Sequence, residues 1–169
     1  MTNLRNFIFT LAVVAVMSGA TAHAVSISVA LDFATLTAAP GQTVVFQGTL
    51  TNPGAVTVDL NSCGVNPPAN LSSDCGAGLF FDNAPLSLDP GQVSGPYPLF
   101  SVTVDPNYSG PFGLVQGFFD VFGGISGDAD VTLSHTAFQV DVVPEPGTAA
   151  LLALALPIAF ALRRRAVRP

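Results

Sequence analysis

Between Val25 and Val143 the chain has neither lysine nor arginine. Its five basic residues all lie outside that stretch, at Arg5, Arg163, Arg164, Arg165 and Arg168, whereas ten of its eleven acidic residues, all aspartates, lie inside it. A body this acidic repels nucleic acid and anionic lipid, so no nucleic-acid partner is expected. With no basic partner for its carboxylates it should hold no salt bridges, leaving burial and backbone hydrogen bonds to support the fold. Histidine is nearly as scarce, since only His135 falls in the body. Between Ser134 and Thr136 it reads as an exposed side chain on a strand. There is no Gly-x-Ser-x-Gly elbow, no His-Glu-x-x-His and no glycine-rich loop leading into a helix. The common hydrolase, zinc-protease and phosphate-binding arrangements are therefore missing, and neither a cofactor nor an enzymatic activity is expected. A hydrolase built on two aspartates is the weaker reading, because the aspartates sit beside Pro, Gly or Asn or on polar strand faces, where turn formers and solvated side chains belong.

What is present begins with the two ends. Arg5, the apolar run Phe7 to Met17 and the small-x-small sequence Ala22-His23-Ala24 make a signal peptide over residues 1–24. Signal peptidase would cut after Ala24 and leave Val25 as the new N-terminus. At the other end, residues 147–162 are uncharged and, as a helix, would span roughly 24 Å of a hydrocarbon core about 30 Å thick. Pro157 would kink that transmembrane helix. Arg163, Arg164 and Arg165, in the basic tail 163–169, are costly to move across a bilayer and stay on the cytoplasmic side, which puts the body outside the cytoplasm.

Ahead of the apolar run stand Val143, Pro144, Glu145, Pro146, Gly147 and Thr148. This motif, the apolar segment and the arginine cluster, in that order over residues 143–169, resemble the PEP-CTERM sorting signal of Gram-negative bacteria. The resemblance implies processing by an exosortase, a membrane-embedded transpeptidase that cuts near the motif. Two prolines hold the segment extended and short of hydrogen-bond donors, a form that a protease can bind as a strand. Pro157 within the span and Ala166 to Pro169 beyond the triplet depart from the pattern and leave the cleavage position open.

The body, residues 25–142, has a hydrophobic period of two almost throughout. Ile27, Val29, Leu31 and Phe33 share a face. Val44, Phe46 and Leu50 share another, as do Val56, Val58 and Leu60, then Phe100, Val102 and Val104, and finally Phe138, Val140 and Val142. Each run reads as a half-buried strand. The breaks carry turn chemistry at Ala39-Pro40-Gly41, Asn52-Pro53-Gly54, Asp89-Pro90-Gly91, Asp105-Pro106-Asn107 and Gly123-Gly124. Seven to nine short strands and almost no helix predict an all-β fold, an antiparallel immunoglobulin-like β-sandwich or a jelly roll. Phe112 to Phe122 reads as a central strand with both faces largely covered, or as one presenting an aromatic strip of Phe118 and Phe122. Gly113 and Gly117 suggest a bulge or a close backbone approach.

Cys63 and Cys75, the only cysteines, lie in a stretch rich in Asn, Pro, Ser and Gly and predict a disulfide in an exported protein. Asp128 and Asp130, two apart in a loop, are weak candidates for calcium. The expected protein is an exported, non-enzymatic β-sandwich at the cell surface or in the exopolysaccharide matrix. The alternative is a glycan- or protein-binding module on the same fold.

Overall fold

The computed structural model describes residues 25–127, 130–145 and 147. The described residues form nine strands and one short helix: β1 (Ser28–Leu31), β2 (Thr35–Ala38), β3 (Thr43–Thr51), β4 (Val58–Asn66), β5 (Leu71–Asp74), α1 (Phe80–Asn83), β6 (Ser87–Leu88), β7 (Val93–Val104), β8 (Gly113–Gly124) and β9 (Val131–Val142). Two sheets result, one ordered β1-β3-β7-β5 and the other β2-β9-β8-β4-β6. The fold is an all-β sandwich.

Alternation decides which residues meet between the sheets. Phe46 of β3 and Phe100 of β7 are register partners in the four-stranded sheet, with ring centroids 4.7 Å apart. Phe119 of β8 and Phe138 of β9 project from the five-stranded sheet. Phe119 stacks on Phe100 at 4.7 Å, while Phe138 tilts against both Phe46 and Phe100 at 5.0 and 4.8 Å. All four rings are buried, as is Phe80, which α1 tucks against Phe119. Offset and tilted pairs of this kind add to the burial of large apolar surfaces, and they make the centre of the sandwich a phenylalanine stack.

Several expectations are corrected. The sandwich is not wholly antiparallel: β2 runs parallel to β9, pairing Thr35 with Gln139 through to Ala38 with Val142. The run from Ile27 to Phe33 is not one strand face. The chain leaves the first sheet after Leu31 and enters the second at Thr35, so Phe33 lies at the crossing and is 70% exposed. Val56 belongs to a loop, because the buried Asn52 side chain holds its carbonyl and delays the strand to Val58. Cys63 lies within β4, not in a loop, and the stretch up to Asp74 is largely strand. The run Phe138 to Val142 is the second half of one long strand, β9, which starts at Val131.

The strand over residues 113–124 is central, as the sequence suggested, yet only one of its faces is covered. Leu114 and Gln116 are exposed on the other. Its bulge falls between Val121 and Phe122, not at either glycine. Gly117 is instead a close approach: a side chain there would collide with the Phe138 ring.

Candidate functional site

The outer face of the five-stranded sheet carries a cluster of aromatic and ionisable side chains that the register assembles. Even-numbered residues of β8 point outward, so Phe118, Asp120 and Phe122 stand in a row. Asp120 is paired across the ladder with His135 of β9 on one side and Gly64 of β4 on the other. The His135 ring stacks on Phe118 with centroids 4.4 Å apart and 17° between planes. Its Nδ1–H donates to Asp120 Oδ1. When protonated it makes an ion pair with that carboxylate, which corrects the expectation that the body holds no salt bridge. His135 is exposed as predicted, but it is partnered on two sides. Phe122 lies over Gly64, where a Cβ would meet the ring at 3.2 Å.

This arrangement is a ridge of rings beside a carboxylate on the outer face of the sheet. It does not form a serine triad. Ser134 and Thr136 flank His135 in sequence, and successive strand residues point to opposite faces. Their hydroxyls bond each other at 3.1 Å instead.

At the end of the sandwich near the N-terminus, a cavity of about 210 Å³ is lined by Val25, Ser26 and the loop from Asn52 to Val56. Asn52 is the one buried polar residue among the described residues. Its side-chain amide donates to the carbonyls of Val56 and Leu88, both at 2.8 Å, and its Oδ1 accepts from the Gly54 N–H at 2.9 Å. Every polar atom of that side chain is used in holding the loop, so it is structural. The Asn-Pro-Gly turn was legible in the sequence, but the burial of Asn52 was not.

Cys63 and Cys75 form a disulfide, with Cα atoms 6.3 Å apart. The bond joins β4 of one sheet to the end of β5 in the other, and it fits an exported protein. Val143 is half-buried and its N–H donates to the Ala38 carbonyl at 3.0 Å. Pro144, Glu145 and Gly147 are exposed. Asp130 is exposed; Asp128 lies outside the described residues, so their pairing is not seen. Among the described residues no three His, Cys, Asp or Glu side chains are grouped to hold a metal. Ala22, Ala24, Pro146, Thr148 and Arg163 to Arg165 also lie outside the described residues, as does the predicted span beyond Gly147. Among the described residues no helix is long and apolar enough to cross a membrane.

No family model matches the chain, and no curated protein does. Among solved structures it is similar to the SrpA adhesin R347E mutant from Streptococcus sanguinis, at 11% identity and a TM-score of 0.43 over 73% of this chain and 60% of that one. It is also similar to the periplasmic chaperone SfaE, at 14% identity and a TM-score of 0.34 over 70% of this chain and 58% of the other. The chain thus spans less than two thirds of either neighbour. Likenesses this distant carry no function across, and the sandwich stands on its own two sheets.

Proposed function

We propose that this chain is an exported, non-enzymatic immunoglobulin-like protein that carries a PEP-CTERM signal, is processed by an exosortase and acts at the surface of a Gram-negative cell or in its exopolysaccharide matrix. With β2 counted as a continuation of β1 and the two-residue β6 left unlettered, β1-β3-β7-β5 corresponds to the A-B-E-D sheet and β9-β8-β4 to the G-F-C sheet, which favours the immunoglobulin-like order over a jelly roll. Signal peptidase would release the N-terminus at Val25, which packs against the core just ahead of the buried Ile27.

One observation carries the processing reading. The last strand ends at the buried Val142, and Pro144, Glu145 and Gly147 follow it exposed, so the motif begins where the fold stops. An extended, accessible segment is what a transpeptidase needs. The apolar segment and its arginines would anchor the chain until that cut.

A second reading is favoured by the Phe118, His135 and Asp120 ridge, which suits a glycan or protein ligand. Such a ligand would raise the melting temperature of the body, because binding the folded state adds stability.

Mass spectrometry of the protein recovered from culture medium tests the proposal. The expected species begins at Val25, has lost Arg163 to Arg165 together with the apolar run, and ends within residues 143–148. A released protein that retains the arginine cluster sinks the processing reading.

A further inference from the structure

The end of the sandwich from which β9 emerges is an aromatic and proline-rich rim. Phe112 and Leu114 are 55% and 63% exposed there. Tyr108 is half-buried, with its ring 6.1 Å from that of Phe112 and its hydroxyl donating to the Pro111 carbonyl at 2.9 Å. Pro106 and Pro111 are exposed beside them. The register places these residues next to the exit of the chain, since Gly113 pairs with Val142 and Leu114 with Asp141. Gly113 has φ +113°, a conformation that favours glycine, and it lets the backbone turn between the two exposed apolar residues.

We infer that this rim, formed by Tyr108, Phe112 and Leu114, rests in the lipid headgroup layer for as long as the chain keeps its apolar tail; the inference rests on the tether reading above. The connection to the tail is short and keeps this end of the body close to the membrane. From Val142, the last residue of the fold, to Gly147, the first of the apolar run, there are five steps, and a fully extended chain covers at most about 18 Å in that distance. The headgroup layer occupies roughly 5–8 Å on each side of the hydrocarbon. An end of the body tethered within this distance reaches the interface whenever the connection is less than fully extended, and amphipathic rings such as tyrosine are the residues that settle there.

Charge selects the kind of surface. The body has no lysine or arginine, so nothing draws it to anionic lipid, and Asp105, Asp141 and Glu145 lie around the rim. A zwitterionic surface is therefore the matching one. Apolar exposure alone does not single out this end, because Ile125 and Val131 are also exposed. They lie at the far end of β8, a strand of twelve residues or roughly 40 Å, and the tail cannot bring them to the membrane.

The chain contains no tryptophan, so one introduced indole reports from one place. The full chain, with its tail, would be reconstituted into phosphatidylcholine vesicles whose acyl chains carry bromine. Four variants are compared: Phe112→Trp, Leu114→Trp, Ile125→Trp and Phe160→Trp. Emission from Phe112→Trp and Leu114→Trp should be shifted to the blue and quenched about twofold or more relative to Ile125→Trp, with Phe160→Trp quenched most. If Phe160→Trp is quenched while both rim reporters behave like Ile125→Trp, the rim inference is overturned and the tether stands. If Phe160→Trp is not quenched, the tether itself fails and takes the inference with it. Equal quenching at Phe112 and Ile125 would overturn the orientation.

Discussion

Single side chains in this molecule act through the neighbours that the strands supply. Asn52 shows it most clearly. Its amide bridges the loop at Val56 and Leu88 of β6, which are far apart in sequence, and the main chain of the same residue adds bonds to Gly91 and Gln92. Replacing it by alanine takes the donor from a buried carbonyl at Leu88 and a part-buried one at Val56, and an unsatisfied buried group costs on the order of 1–3 kcal/mol. Asn52→Ala should therefore lower the unfolding free energy by roughly 2–4 kcal/mol, read from the midpoint of a urea titration at constant slope. A loss below about 0.5 kcal/mol, the usual scale of surface substitutions, would mean that water replaces the amide. At this scale the sequence showed a turn-forming Asn-Pro-Gly and nothing more, because burial depends on where β6 and β7 return.

Elements bring a second set of consequences. The sequence placed Cys63 and Cys75 within one poorly apolar loop that the disulfide would clamp. The fold instead sets the first in β4 and the second just beyond β5, so the bond staples the two sheets at their edge. Four-residue β5 pairs only with β7, through Leu71 to Asp74, and has few other supports. Closing a loop of this length is worth about 3 kcal/mol on the chain-entropy model. Cys63→Ser combined with Cys75→Ser should cost about 2–4 kcal/mol. Hydrogen exchange should show the largest loss of protection in Leu71 to Asp74, and uniform loss across both sheets would contradict the staple. Strand β2 was not anticipated at all. Its Thr-Leu-Thr-Ala carries too short an apolar pattern to stand out, and only the presence of β9 alongside gives its backbone a partner.

Across the body as a whole, the charges are almost all of one sign and repel one another. Aspartates are spread over turns and outer faces with no lysine or arginine among them, and His135 is the one basic group between Val25 and Val143. At 10 Å in water each pair of like charges costs about 0.4 kcal/mol, so a body with ten of them carries repulsion on the order of 1 kcal/mol or more. Raising sodium chloride from 0.01 M to 0.5 M shortens the screening length from about 30 Å to a few ångströms. The melting temperature of the exported body should then rise by roughly 3–6 °C. A fall with salt would show that attractive pairs outweigh the repulsion.

The sequence alone determined the fold class, most of the buried set and the order of parts along the chain. Strand alternation and turn chemistry are local properties, and a run such as Phe100, Val102 and Val104 declares its buried face without reference to any other strand. The two sorting signals proposed for the ends are readings of the same local kind, resting on charge and length. Only the tertiary structure decided that Phe118, Asp120 and His135 form one ridge, that a disulfide joins two sheets, and that Tyr108, Phe112 and Leu114 lie beside the end of β9. Those facts depend on register and on strand order. Both are set by contacts between residues distant in sequence, and no short window of the chain contains them.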